Sequence, residues 1–196
     1  MLIKSFFANM MPLLSFLFWI PILCYCEGPL RALAVVLAVT FHECGHLFAF
    51  WLLGEKRPRL SFHALGLTLT PRRMLSYRHE AAVSLCGPLV NLLTALCSLP
   101  FSSLSFFSAL SAISFLLAFV HLLPIIPLDG GRICFALSHA RFGESGVRFA
   151  AALSRITLCI SLFFFLYFLL YYGIGLAPLF SVLMLFHEQQ PYRYDL

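Results

Sequence analysis

The chain has 196 residues, 61% of them hydrophobic and 11% charged, with a mean hydropathy of +0.94 and a formal charge of +5. One soluble core cannot hide that much apolar surface, so a water-soluble globular protein is excluded and lipid must be the solvent. The positive charge reports topology and contact with anionic lipid; no basic stretch is interleaved with a nucleic-acid-binding module, which excludes DNA and RNA as partners.

Uncharged or nearly uncharged runs occur near 5–26, 32–54, 81–128 and 156–186. The two long ones are divided by Pro100 with its serine-rich sequel and by Gly173-Ile174-Gly175. About six transmembrane helices result, near 6–26, 31–53, 81–100, 106–126, 150–171 and 174–187, each close to the ~20 residues needed to cross. The whole of 1–196 is expected to form a single membrane-embedded domain of the all-α polytopic class. Lys4 followed by an apolar run also resembles the start of a signal peptide. No small-residue cleavage site follows, and Cys24-Tyr25-Cys26-Glu27 is a poor substitute, so the segment is read as the first span. Lys4, Lys56, Arg57, Arg59, Arg72, Arg73, Arg78, Arg132, Arg141, Arg148, Arg155 and Arg193 fall on one side of this arrangement and only Arg31 on the other. The positive-inside rule makes that side, with both termini, cytoplasmic.

The second span carries His42-Glu43-Cys44-Gly45-His46. Two histidines four apart share one helix face, separated by ~6 Å of rise, so both imidazoles can reach one metal while the glutamate faces the water position of a zinc hydrolase. From Ala32 to Gly54 these two histidines and Glu43 are, cysteine aside, the only ionisable side chains. Polar groups at membrane depth are expensive unless they serve a pathway or a site. The plainer reading, an exposed helix carrying two histidines and an acid by chance, is therefore weak. Cys44, two positions from each histidine, should point away from the metal, and the other cysteines, scattered singly, imply no disulfide framework.

Between spans two and three, Pro58 to Arg73 nearly alternates apolar with small or polar residues around Gly66. It is read as a short β-hairpin or re-entrant strand pair at the cytoplasmic interface, with a basic amphipathic connector as the alternative. His63 within it is assigned to the surface or to a supporting position. Asn91, early in the third span, reads as interhelical hydrogen-bond glue.

A zinc hydrolase takes three protein ligands and leaves a fourth position for water. The best third ligand is Asp129, the one aspartate before the C-terminal tail, at the end of His121-Leu122-Leu123-Pro124-Ile125-Ile126-Pro127-Leu128-Asp129-Gly130-Gly131. The two prolines each remove a backbone donor and the glycine pair permits tight turning, so the fourth span should lose regular helix where the carboxylate projects. Such backbone is tolerated at membrane depth only where it is buried or lines a cavity. A capping aspartate at an ordinary helix end is the plainer alternative. His79, His139 and His187 fall near span ends as solvated histidines, and the Phe-rich stretches at 101–119 and 163–168 face lipid or core.

The intramembrane HExxH, Cys86-Gly87-Pro88-Leu89-Val90-Asn91 opening the third span, and Pro124-x-x-Pro127-Leu128-Asp129-Gly130-Gly131 together resemble the site-2 protease family of intramembrane zinc metalloproteases. Their order and spacing are most similar to its six-span stage IV sporulation protein FB subgroup, which processes a membrane-associated pro-sigma factor. The resemblance implies zinc bound by His42, His46 and Asp129, Glu43 as catalytic base, and a site-facing, substrate-binding role for Asn91. It also implies that the segment after span two receives an extended substrate by strand addition. His121 stands where the family usually has asparagine. Its imidazole can donate one hydrogen bond to a developing oxyanion as the amide does, or it can become a fourth metal ligand. The subgroup's nucleotide-sensing CBS domain is not expected here.

The resulting expectation is an intramembrane zinc endopeptidase of a bacterial cytoplasmic membrane that cuts membrane-associated proteins, with room for an inhibitory membrane partner. Two rivals stand beside it. A non-catalytic scaffold would keep the fold and bind clients without cutting. A zinc transporter is disfavoured, because Glu43 would have no transport duty and no histidine-rich loop accompanies it.

Overall fold

The computed structural model describes residues 28–55, 58–63, 66–70 and 75–172. Helix α1 (Pro29–Leu52) begins with proline in its first turn, where the missing N–H costs nothing, after Gly28 at φ 84°. It ends in a Schellman turn: Gly54 takes φ 66°, its N–H donates to Trp51 O, and Glu55 N–H donates to Phe50 O. A two-stranded antiparallel ladder follows, β1 (Arg59–His63) against β2 (Gly66–Thr70), with Ser61 opposite Thr68.

Helix α2 (Tyr77–Ser98) is capped by Ser76, whose hydroxyl accepts from His79 N–H, and is extended by a 3₁₀ turn at Leu99–Phe101. Helix α3 (Ser105–His121) is followed by turns through 122–128. There Ile125 N–H donates to Leu123 O, Leu128 N–H to Ile125 O, and Ile126 N–H to Ser154 Oγ. Helix α4 (Asp129–Phe142) starts at the aspartate itself, and α5 (Glu144–Tyr172) follows after Gly143.

Three described helices are long and apolar enough to cross a membrane, with windows Pro29–Leu52, Tyr77–Phe101 and Glu144–Phe164; Ser105–His121 is a shorter apolar helix. The segments expected as the first and last spans lie outside the described residues. Two boundaries differ from the sequence reading. The fourth span stops at His121, five residues early, because the Pro124/Pro127 stretch leaves the helix sooner than its apolar character suggests. Residues 129–142, where the glycine pair suggests tight turning and no span is placed, form a helix. Gly130 and Gly131 serve close packing there: a Cβ on Gly130 would meet Leu122 O, and one on Gly131 would meet Ile125. Tertiary contact has overridden the ordinary cost of glycine in a helix.

Packing is inverted relative to a soluble domain. The buried positions are mostly small or polar, among them Ala34, Ala38, Ser84, Asn91, Ser111 and Ser114, while Leu93, Leu96, Phe115, Phe119 and Phe163 are exposed and Trp51 is 73% exposed. Small residues let helix backbones approach where lipid already solvates the large apolar chains. On α1 the buried face runs Ala34, Ala38, His42, Gly45, His46, Ala49. Its upper part packs on Leu110 of α3, and Ala49 and Phe50 pack on Val83 of α2. Ser111 Oγ donates to Ala95 O at 2.9 Å, joining α3 to α2. At the end of α1, His79 Nδ1 lies 2.8 Å from Glu55 Oε1, and Tyr77 OH lies 3.3 Å from His139 Nε2. Two histidines expected to be merely solvated thus join α2 to its neighbours.

Candidate metal centre

His42 and His46 project from the buried face of α1 toward the start of α4, and both are nearly inaccessible, as is Asp129 at 5% exposure. His42 Nε2 lies 3.2 Å from His46 Nε2 and 3.1 Å from Asp129 Oδ2, and His46 Nε2 lies 3.5 Å from Asp129 Oδ1. Ligands ~2.0–2.1 Å from a tetrahedral zinc ion stand ~3.3 Å apart, and the two imidazole nitrogens have that separation, with one carboxylate oxygen of Asp129 near each. Two imidazole nitrogens facing each other across a carboxylate, with their outer nitrogens bonded elsewhere, form a donor set suited to a divalent cation.

Two further features fit a metal. His46 Nδ1 donates to the Val83 carbonyl at 2.8 Å, which fixes the tautomer that leaves Nε2 free as a ligand. Gly87 faces the cluster: a Cβ there would overlap His46 Nε2 and Cε1 and would come within 3.0 Å of His42 Cε1. The glycine thus preserves the space in which the imidazoles converge. Glu43 follows His42 in the chain and is half-buried. Cys44 is exposed, away from the cluster as its helical position requires.

His121 Nδ1 lies 2.9 Å from Asp129 Oδ2, and its ring centroid is 4.2 Å from that of His42. The imidazole therefore addresses the carboxylate at an ordinary hydrogen-bond length. His42, His121 and Asp129 also each offer a ligand atom within 4.8 Å of one another, so two triplets share the same aspartate and His42. In the His42/His46/Asp129 triplet the outer nitrogen of each imidazole is held from behind by helix α2. Asn91 is fully buried with its amide nitrogen 3.2 Å from His42 Nδ1, behind the ring and away from the point of convergence. The side chain of His63 is outside the described atoms, and His187 outside the described residues.

Sequence reasoning missed the Val83 carbonyl and the clearance at Gly87. One signal was available: Pro88 withdraws the donor that Ser84 O would use and loosens the turn before it, the turn from which Val83 offers its oxygen.

These features define a class: a membrane-embedded helical fold with a buried His/His/Asp cluster where two helices meet a helix start. Residues 97–164, which include His121 and Asp129 but not the His42–His46 pentapeptide, match the Peptidase family M50 model. The fold is similar to that of the Site-2 Protease from Methanocaldococcus jannaschii, with a TM-score of 0.61 and 21% identity over 90% of this chain and 84% of that one. No curated protein matches the chain.

Proposed function

We propose that this chain is an intramembrane zinc endopeptidase of the site-2 protease type, acting on membrane-associated proteins. The observation that carries the reading is the convergence of His42 Nε2, His46 Nε2 and Asp129 at 3.1–3.5 Å inside a helical bundle whose exterior carries large apolar side chains. The Peptidase family M50 match and the similar fold support it.

In this reading His42, His46 and Asp129 hold the metal. A bound zinc ion would supply Lewis acidity, polarising the scissile carbonyl and easing ionisation of water. Glu43 accepts a proton from the attacking water as its oxygen bonds to the carbonyl carbon, and delivers that proton to the departing nitrogen as the C–N bond breaks. His121 Nδ1 donates to the Asp129 carboxylate, so its other nitrogen stabilises the developing oxyanion as a second N–H donor, which requires the imidazole in its doubly protonated form. An edge of the β1–β2 ladder, which pairs with no further strand among the described residues, suits an extended substrate, since main-chain hydrogen bonds to an edge hold a segment unwound for cleavage. A pro-sigma factor or another membrane-tethered regulator is the substrate class proposed, in keeping with the stage IV sporulation protein FB subgroup. The test is co-expression with membrane-tethered precursors beside a Glu43→Gln version. Cleavage that is absent from the wild type, or that persists in the variant, removes the assignment.

A second reading rests on one observation, the placement of His121 among the metal-capable groups. As a fourth ligand it would close the water position and leave a scaffold that binds clients without cutting them.

A further inference from the structure

The two histidines of α1 are each held from behind by α2. His46 Nδ1 meets the Val83 carbonyl at 2.8 Å, and His42 Nδ1 meets the Asn91 carboxamide at 3.2 Å. Val83, Gly87 and Asn91 recur every four residues, so one face of α2 presents a carbonyl, a clearance and an amide to the histidine pair, which has the same spacing. The histidine numbering rises as the α2 numbering falls, as expected of antiparallel neighbours in register.

The Val83 carbonyl can only accept, so it fixes His46 as the Nδ1–H tautomer. A carboxamide is different: a half turn about its Cβ–Cγ bond exchanges a donor for an acceptor. Asn91 Oδ1 is buried with no hydrogen-bond partner among the described residues, so nothing seen at the far end of the amide locks it in one orientation. In the orientation recorded, Asn91 N–H donates to a proton-free His42 Nδ1, which leaves the His42 proton on Nε2, beside Asp129. Metal ligation through Nε2 requires the opposite tautomer, with the proton on Nδ1.

We propose that Asn91 is a positioning residue for His42: its carboxamide turns to present Oδ1 to the Nδ1 proton, selecting the tautomer whose Nε2 lone pair faces the metal. This rests on the reading of the cluster as a metal centre. It replaces the substrate-binding role expected for Asn91, because the side chain is wholly buried against the rear edge of the ring.

The test measures zinc affinity by chelator competition on the purified full chain in detergent, for wild type, Asn91→Leu, Asn91→Ala and Asn91→Asp. Thermal melting of the metal-free proteins runs alongside. Leucine keeps the volume without an acceptor and alanine removes both, so each should weaken zinc binding by about 10- to 100-fold while the protein stays folded. Aspartate keeps the acceptor and should bind as tightly as wild type or more tightly. A residue serving only as interhelical glue would give the reverse order, because a buried carboxylate packs worse than leucine in a membrane helix. Wild-type affinity in the folded leucine and alanine variants overturns the proposal, as does an aspartate variant as weak as they are. If leucine does not fold, alanine and aspartate carry the same comparison. A wild-type chain that binds no zinc overturns the metal reading and this inference together, whereas a zinc-binding wild type with indifferent Asn91 variants overturns this inference alone.

Discussion

In the proposed metal centre, alanine at His42, His46 or Asp129 removes one of three protein ligands, so each replacement is expected to lower zinc content from about one ion per chain. Elemental analysis of the purified variants checks this, and full zinc retention in Asp129→Ala would take that residue off the ligand set. Glu43→Gln keeps the side-chain shape and loses the base, so it should retain metal and lose cleavage. His121 divides the two readings of the site. As an oxyanion donor, its change to alanine should cost about 100-fold or more in turnover with zinc retained, while His121→Asn restores a donor and keeps substantial activity. As a fourth ligand, His121→Ala should lower zinc affinity and open a water position. Zinc content and cleavage rate measured on both variants decide, and loss of zinc with a gain of cleavage would sink the oxyanion role. That His42, His46 and Asp129 would come together was legible in the sequence because it depends on local facts: an i, i+4 pair on a helix and a solitary aspartate beside two prolines. The contact of His121 with Asp129 was not, since it depends on how the 122–128 turns fold the chain back.

Between elements, glycines set how closely α1, α2 and α4 approach. A Cβ on Gly45 would stand 2.7 Å from Cys86 O, backbone that cannot swing aside, so the α1–α2 crossing requires glycine there. Gly45→Val is expected to destabilise the fold by about 1–3 kcal/mol through overpacking, read as a lower melting temperature in detergent. Gly87→Ala acts differently, since its methyl group would press on the two imidazoles. It should lower zinc affinity with little change in the melting temperature of the metal-free protein; an unchanged affinity would show that the imidazoles can retreat. Helix α4 was hidden for a related reason. Gly130-Gly131 signals a turn by propensity, yet the pair lies in the first turn of a helix, where only glycine lets the backbone rest on Leu122 and Ile125. Propensity describes a residue alone, and this position is decided by its neighbours.

For the whole molecule, the distribution of basic residues makes the topology testable. Reporters fused after Leu196 and within 55–80 should read cytoplasmic, and one near Glu27–Gly28 should read the opposite side. A C-terminal reporter on the opposite face would break the six-span arrangement, most readily at the fifth and sixth spans. The sequence by itself determined that the chain is built of apolar helices, where the described long ones run, and which ionisable side chains stand inside them. These follow from composition, from helical periodicity and from the cost of an ionisable group at membrane depth, all of which act within one segment. Only the tertiary structure decided that Val83 and Asn91 support the two histidines from behind, that Gly87 clears the space before them, and that His121 leans on the aspartate. Those relations join residues 8 to 49 positions apart in the chain. They are set by helix register and by the close approach that small residues permit, which no single stretch of sequence contains.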